Sequence, residues 1–345
     1  RFNNDVYTTW VQHAVDVTTT NRVVYGVNYF HNAVSNQNSF TPPATEDRFG
    51  LYLQDEWRAT STLTVVPGVR WDLLTGLNPS YSPRLSLIYK PYENHTYRAS
   101  ASVSYRPPSL LESRGLSFQT VGGPPVFLST GSPNLTPEQI VSYEAGYQGW
   151  FLKHRLQIRA DVFFNHLSNF ITGGAPTPNP LVFTLANAGG TADIYGGEVG
   201  AEFLVTSWLT GVANDSIVQL HQTSDLVAGQ QFTATRGAPP YKINAGLRGE
   251  WDSGFSAETL VHFVSATSYP VAPSYQFLGP AFGFVPPSNS VDSYTLLNMR
   301  GAYRFWYDKA EVAVSAFNAL NDQHRENPVG DVISSRVMGW LTLKY

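Results

Sequence analysis

The strongest constraint in this chain is the alternating length of its connections. Amphipathic, strand-like segments are joined in turn by very short and by long stretches. The short ones fall near residues 18–21, 59–62, 91–94, 151–155, 205–208, 251–254 and 306–309. The long ones fall near 34–46, 107–138, 168–190, 222–240, 266–290 and 320–334, with a shorter one at 73–80. Tight turns on one rim and long loops on the other belong to a transmembrane antiparallel β-barrel. The expected fold class is all-β. Fifteen strands are counted, at 4–17, 22–33, 48–58, 62–72, 81–90, 95–106, 139–150, 156–167, 192–205, 208–221, 241–250, 255–265, 293–305, 309–319 and 335–345. No helical domain and no soluble appendage is expected, and the long loops read as Gly-, Pro-, Asn- and Ser-rich connections.

Within the segments, side chains alternate with period two. Leu156, Ile158, Ala160, Val162 and Phe164 share one face, and Gln157, Arg159, Asp161 and Asn165 the other. In two segments the apolar stripe begins and ends with an aromatic, from Tyr97 to Tyr105 and from Tyr241 to Trp251. The first of these spans about 26 Å of strand. That matches the apolar band between the aromatic girdles of a membrane barrel. The other face repeats Arg, Lys, Glu, Asp and Ser, which suits a wet lumen. A polar interior needs water or a plug, and hence a wide barrel.

Composition agrees. Charged residues are 14% and aromatics 14%, against roughly 25% charged in an ordinary soluble domain. Mean hydropathy is −0.18, and no uninterrupted apolar run approaches the ~18 residues of a membrane helix. The net charge of −4 gives no reason to expect nucleic acid. With no cysteine, disulfides, thiol catalysis and zinc–thiolate sites are out. The chain opens at Arg1 without an export signal, so a mature form or a fragment is expected.

Motifs for chemistry are missing. There is no H-E-x-x-H, G-x-S-x-G or phosphate-binding loop. The eight histidines are scattered, and His262 reads as an ordinary wet-lumen residue. No enzyme activity, cofactor or metal is expected. The aromatic-rich loop with Tyr269, Tyr275, Phe277, Phe282 and Phe284 is a candidate for ligand contact, since binding concentrates on long loops. These rings could equally pack on one another or on a neighbouring protein.

The last strand carries Gly339, Leu341, Leu343 and Tyr345, with the final three on one face. An apolar stripe that closes on a terminal aromatic resembles the assembly signal of bacterial outer-membrane proteins. That resemblance implies a partner in the barrel-assembly machinery. It also implies a polarity: carboxyl terminus and short turns in the periplasm, long loops outside the cell.

Several ordered segments resemble one family. Asp47-Arg48-Phe49-Gly50-Leu51-Tyr52-Leu53-Gln54-Asp55-Glu56-Trp57 is one such segment. Ser82-Pro83-Arg84-Leu85 leads to Ile88-Tyr89-Lys90-Pro91, and Tyr105-Arg106-Pro107-Pro108-Ser109-Leu110 ends another strand. Asn134-Leu135-Thr136-Pro137-Glu138 leads to Ser142-Tyr143-Glu144-Ala145-Gly146, and Asn187-Ala188-Gly189 to Gly197-Glu198-Val199-Gly200. Phe317-Asn318-Ala319-Leu320-Asn321-Asp322 comes last. The set is similar to the later barrel strands of TonB-dependent receptors.

The resemblance implies a 22-stranded barrel closed by a plug, set in a lipid bilayer with lipopolysaccharide. It implies import of a scarce, bulky nutrient, such as a ferric siderophore, cobalamin or a glycan, driven by the TonB complex. Plug, TonB box and early strands are not in this sequence, so residues 1–345 read as a partial barrel domain. Plug-facing candidates are Arg98, Glu144, Arg159, Glu198, Arg248, Glu250, Glu258 and Arg300. The alternatives are a truncated barrel acting as a structural subunit beside other outer-membrane proteins, or a passive pore.

Overall fold

A computed structural model describes residues 2–36, 40–120, 125–173, 181–187, 189–223, 237–269, 290–328 and 330–344. Fifteen strands form one sheet, each paired antiparallel with its neighbour in the chain. They are β1 Phe2–Asp16, β2 Asn21–Asn36, β3 Phe40–Arg58, β4 Leu63–Leu74, β5 Ser80–Tyr92, β6 His95–Arg106, β7 Glu138–Phe151 and β8 Leu156–Ser168. The remainder are β9 Thr191–Thr206, β10 Leu209–Thr223, β11 Tyr241–Glu250, β12 Phe255–Val264, β13 Tyr294–Phe305, β14 Ala310–Phe317 and β15 Arg336–Leu343. In the sheet order β1 and β15 stand at the two ends.

The strand count agrees with the sequence, and so do the short turns. The long-loop rim differs. Most of the expected loop at 34–46 is strand, because Phe40–Glu46 belongs to β3 and pairs with β2. Pro42 and Pro43 signal a loop. They sit where the register shifts between Val34 and Asn36, a place where a strand tolerates the missing N–H.

Register assigns the two faces. Leu53, Val69, Leu85, Leu87, Val162, Val199, Ile243, Leu247, Val261, Val312 and Leu341 all point outward and are exposed. A soluble sheet would bury such side chains, and a continuous exposed apolar surface of this extent needs a non-aqueous neighbour. Aromatic rings bound the surface. Near the short turns, Trp208 stacks on Trp251 at 5.1 Å, and Tyr97 lies 5.0 Å from Tyr147. Towards the long loops, Trp71 stacks on Tyr81 at 6.4 Å, and Tyr143 lies 6.5 Å from Phe164. Two girdles around an apolar band are the outer surface of a membrane barrel. The outward face of β15 carries Gly339, Leu341 and Leu343, opposite Val314, Val312 and Ala310 of β14. Tyr345 lies outside the described residues.

The short turns are wound tightly. Leu152, Lys153 and His154 all have φ between 52° and 66°, and Trp306, Tyr307 and Asp308 between 55° and 62°. Each triplet is closed by a backbone bond, Arg155 N–H to the Leu152 carbonyl (3.3 Å) and Lys309 N–H to the Trp306 carbonyl (3.1 Å). Left-handed backbone costs a residue with a Cβ roughly 1–2 kcal/mol.

The long connections carry structure that the sequence did not announce. The β6–β7 connection holds a one-turn helix, α1 Leu110–Arg114, opened by a capping box between Ser109 and Glu112. Leu110 packs with Val34 and Ala44 in a small apolar cluster under the helix. The β6–β7 and β8–β9 connections also share a four-stranded sheet. Its order is Ile171–Gly173, Leu181–Asn187, Pro125–Thr130, Leu116–Thr120. A five-residue helix and strands this short leave too little periodicity to be read in advance.

Candidate functional site

The concave face of the sheet gathers the charges of the polar stripe. A recess of about 730 Å³ on this face is lined by Glu56, Arg84, Arg98, Glu144, Asp161 and Glu198, among others. All eight plug-facing candidates lie on this face by register, and among them only Arg248 and Glu250 form an ion pair with each other among the described residues. Arg98 binds Asp161, a residue not among the candidates. Glu144 accepts from the Ser100 hydroxyl at 3.3 Å. Arg159 donates to Gln157 at 3.1 Å. Arg248 stands 3.8 Å from Glu202 and 3.7 Å from Glu250. Arg300 binds Glu311 at 2.6 Å. Glu258 sits in register between Arg248 and Arg300, while Glu198 faces Asp161 and Ser216. Among the described residues, no ion pair holds Glu144, Glu198, Glu258 or Arg159.

One device recurs along this wall. Tyr52 of β3 donates to Gln12 of β1 at 2.7 Å, and between them lies Gly26 of β2. Arg70 of β4 reaches Asn28 of β2 at 2.7 Å across Gly50 of β3. Arg98 of β6 reaches Asp161 of β8 across Gly146 of β7. A Cβ at Gly26 would stand 2.4 Å from the Tyr52 hydroxyl, at Gly50 2.2 Å from Arg70 Nη2, and at Gly146 2.2 Å from Asp161 Oδ1. Each glycine leaves open the path by which a long side chain ties strands that are not neighbours. The signal was present in the sequence as Gly146 at the end of Tyr143-Glu144-Ala145-Gly146, but its partners are set by register alone.

At the long-loop rim, three of the matched motifs meet. Arg106 donates to Glu138 at 2.5 Å and to both oxygens of Glu112 at 2.9 and 3.0 Å. Glu138 also accepts the Ile171 N–H at 2.8 Å. The Asn187 amide accepts from Thr136 N–H at 2.8 Å and donates to the Thr136 carbonyl at 2.9 Å and the Asn169 carbonyl at 3.0 Å. Asn169 returns bonds to the Thr136 hydroxyl and the Pro137 carbonyl. Burial raises the Glu112 carboxyl, but the Arg106 fork and the Ser109 N–H outweigh it and hold the group below its usual range.

The last matched motif forms a second knot. Buried Asn318 donates to the Asp322 carbonyl and accepts the Asp322 N–H, both at 2.9 Å. Asp322 in turn accepts the Thr295 N–H at 2.8 Å. Of the loop aromatics, Tyr269 donates its hydroxyl to the Glu326 carbonyl at 3.0 Å. Tyr275, Phe277, Phe282 and Phe284 lie outside the described residues. His262 is on the concave face and bonds Asn244, which donates to Asn214 at 2.6 Å. Among the described residues, no three His, Cys, Asp or Glu side chains converge on a metal position.

Comparison with known proteins gives the same picture. Residues 1–320 match the family described as TonB dependent receptor-like, beta-barrel. No curated protein matches the chain. A variant of the ferric enterobactin receptor of Pseudomonas aeruginosa superposes with a TM-score of 0.77 at 16% identity, over 99% of this chain and 53% of that one. A siderophore receptor of the same organism gives 0.70 at 17%, over 98% and 57%. An iron transporter of Neisseria meningitidis gives 0.72 at 14%, over 98% and 55%. The chain spans a little over half the length of these solved structures.

Proposed function

Because the chain belongs to the TonB-dependent receptor β-barrel family, a family of non-enzymatic transporters of the bacterial outer membrane, we propose that it forms part of the wall of a plugged importer. The observation that carries this reading is the set of luminal charges without an ion partner among the described residues, above all Glu144 and Glu198. Carboxylates held on a concave, hydrated wall, with Asp161 committed to Arg98 between them, are available to basic groups of a plug. Arg98, Arg159, Arg248, Glu250, Glu258 and Arg300 line the rest of that contact.

In this reading the short turns and the carboxyl end are periplasmic and the long loops extracellular. The strands and the plug that complete the barrel lie outside these 345 residues, and the plug couples to the TonB complex. Gly339, Leu341, Leu343 and Tyr345 present the last strand to the assembly machinery. The cargo is a scarce, bulky nutrient, for which a ferric siderophore is the first choice. That choice is supported by the solved structures that share the fold, a ferric enterobactin receptor, a siderophore receptor and an iron transporter. In this reading Tyr269, Tyr275, Phe277, Phe282 and Phe284, on a long connection in the sequence, contact the cargo.

The test is growth of a deletion strain under iron limitation with the full-length gene and a panel of ferric siderophores. Growth on one of them is expected to require both the gene and TonB. A large, steady single-channel conductance from the full-length protein would overturn the plugged reading in favour of a passive pore.

A further inference from the structure

We propose that His324 and Glu326, at the long-loop rim, form a binding site for one divalent transition-metal ion. The proposal goes beyond the transport reading and does not depend on it. Its centre is an imidazole held in an unusual state. The His324 side chain is 5% exposed and stacks on the Tyr294 ring at 4.0 Å and 23°. Its backbone is paired both ways with Ile333. Nδ1 lies 2.7 Å from the Asp322 carbonyl oxygen. A carbonyl only accepts, so Nδ1 carries a ring proton, and in the Nδ1–H tautomer Nε2 presents a bare lone pair. That nitrogen is buried and, among the described residues, has no hydrogen-bond partner.

Facing it is a carboxylate. Glu326 Oε1 is 3.8 Å from His324 Nε2, on a side chain that is 56% exposed. An imidazole whose other N–H is held by a backbone carbonyl is the form in which histidine ligates metals, because the hydrogen bond fixes tautomer and ring orientation. With metal–ligand bonds of about 2.0–2.2 Å, a tetrahedral site sets its N and O ligands about 3.4 Å apart. Glu326 needs to move about 0.4 Å to meet that spacing, and its exposure leaves it free to do so. Asn318 and Asp322 clamp the preceding turn, so the histidine is fixed and the carboxylate adjusts.

The ligand set names the ion class. An imidazole nitrogen with one carboxylate suits Zn²⁺, Co²⁺ or Ni²⁺, whereas Ca²⁺ and Mg²⁺ favour oxygen donors alone. Among the described residues no third His, Cys, Asp or Glu completes the shell, so water or a chelating molecule fills the remaining positions.

The experiment uses the full-length protein in detergent micelles. Co²⁺ is titrated and followed by its visible absorption, and Zn²⁺ by calorimetry. Wild type is expected to saturate one site at this position. Glu326→Gln changes an exposed side chain and is expected to bind at least tenfold more weakly with an unchanged melting temperature. His324→Phe keeps the stacked ring but removes the lone pair, and is expected to lose the site. Absence of saturable binding in wild type, or equal binding by Glu326→Gln, would overturn the proposal. So would nitrogen chemical shifts showing Nε2 protonated at neutral pH and paired with Glu326. If His324→Phe fails to fold, the Glu326→Gln comparison alone decides.

Discussion

Arg98 on β6 pairs with Asp161 on β8 across the bare backbone of Gly146 on the strand between them. The pair therefore ties three strands together, and it depends on a residue that contributes no side-chain atom. Arg98 is 61% exposed, so the pair itself is worth only about 0.2–1 kcal/mol.

Gly146→Ala is expected to break this pair by placing a Cβ against Asp161 Oδ1 and Arg98 Nε. The loss should stay within roughly 1 kcal/mol because both groups can swing into the hydrated lumen. A double-mutant cycle checks it. In an Asp161→Asn background, Gly146→Ala should cost clearly less, and equal costs in both backgrounds would contradict the geometry.

The two faces of the sheet should respond oppositely to the same new charge. Leu247 points outward near the middle of its strand and is 49% exposed. Leu247→Arg is expected to destabilise folding into vesicles by about 2–4 kcal/mol. Ser102→Arg, on the concave face of β6, should change it by less than about 1 kcal/mol. Denaturant titrations in lipid vesicles give both values.

The rim knot should make the loops acid-sensitive. The native Glu112 carboxyl is held below its usual range, so it binds a proton less readily than in the unfolded chain. Its stabilising contribution is full above the unfolded value of about 4.3 and is lost as pH falls through the lower native value. Pepsin cleavage between 107 and 137 is expected to accelerate only at pH values below about 4. Arg106→Ala should shift the onset to higher pH, and an unshifted onset would mean that the fork does not anchor the helix.

Asn318→Ala removes two bonds to the Asp322 backbone at a buried position. It also puts alanine at a φ of 51°, which an asparagine tolerates better. A loss of about 2–3 kcal/mol is expected, read as a lower melting temperature in micelles. Asn321→Ala, an exposed position with one bond to the Ser335 N–H, should cost visibly less.

Period-two alternation and turn length carried most of the fold, because each strand obeys them locally. The strand faces of Tyr97 and Tyr241 followed directly. What stayed hidden depends on register or on contacts distant in sequence. Asp161 was legible as a luminal residue, yet nothing local pairs it with Arg98. Arg106, Glu138 and Asn187 stood out as motif residues, and only the fold brings them to one knot. Phe40–Glu46 lies in a stretch that reads as a long connection and carries two prolines, while pairing with β2 makes it strand. The buried Nε2 of His324 could not be seen at all, since the Asp322 carbonyl and Tyr294 meet this ring only in the folded rim.

The left-handed triplets at 152–154 and 306–308 bear on how this wall can be engineered. Each closes its hairpin with no residue to spare, so an inserted peptide there must shift two long strands against each other. The opposite rim already carries connections of many lengths above the same strands. An epitope or affinity tag grafted on this protein therefore belongs on the long-loop rim, where the register of the wall is already set before the insert begins.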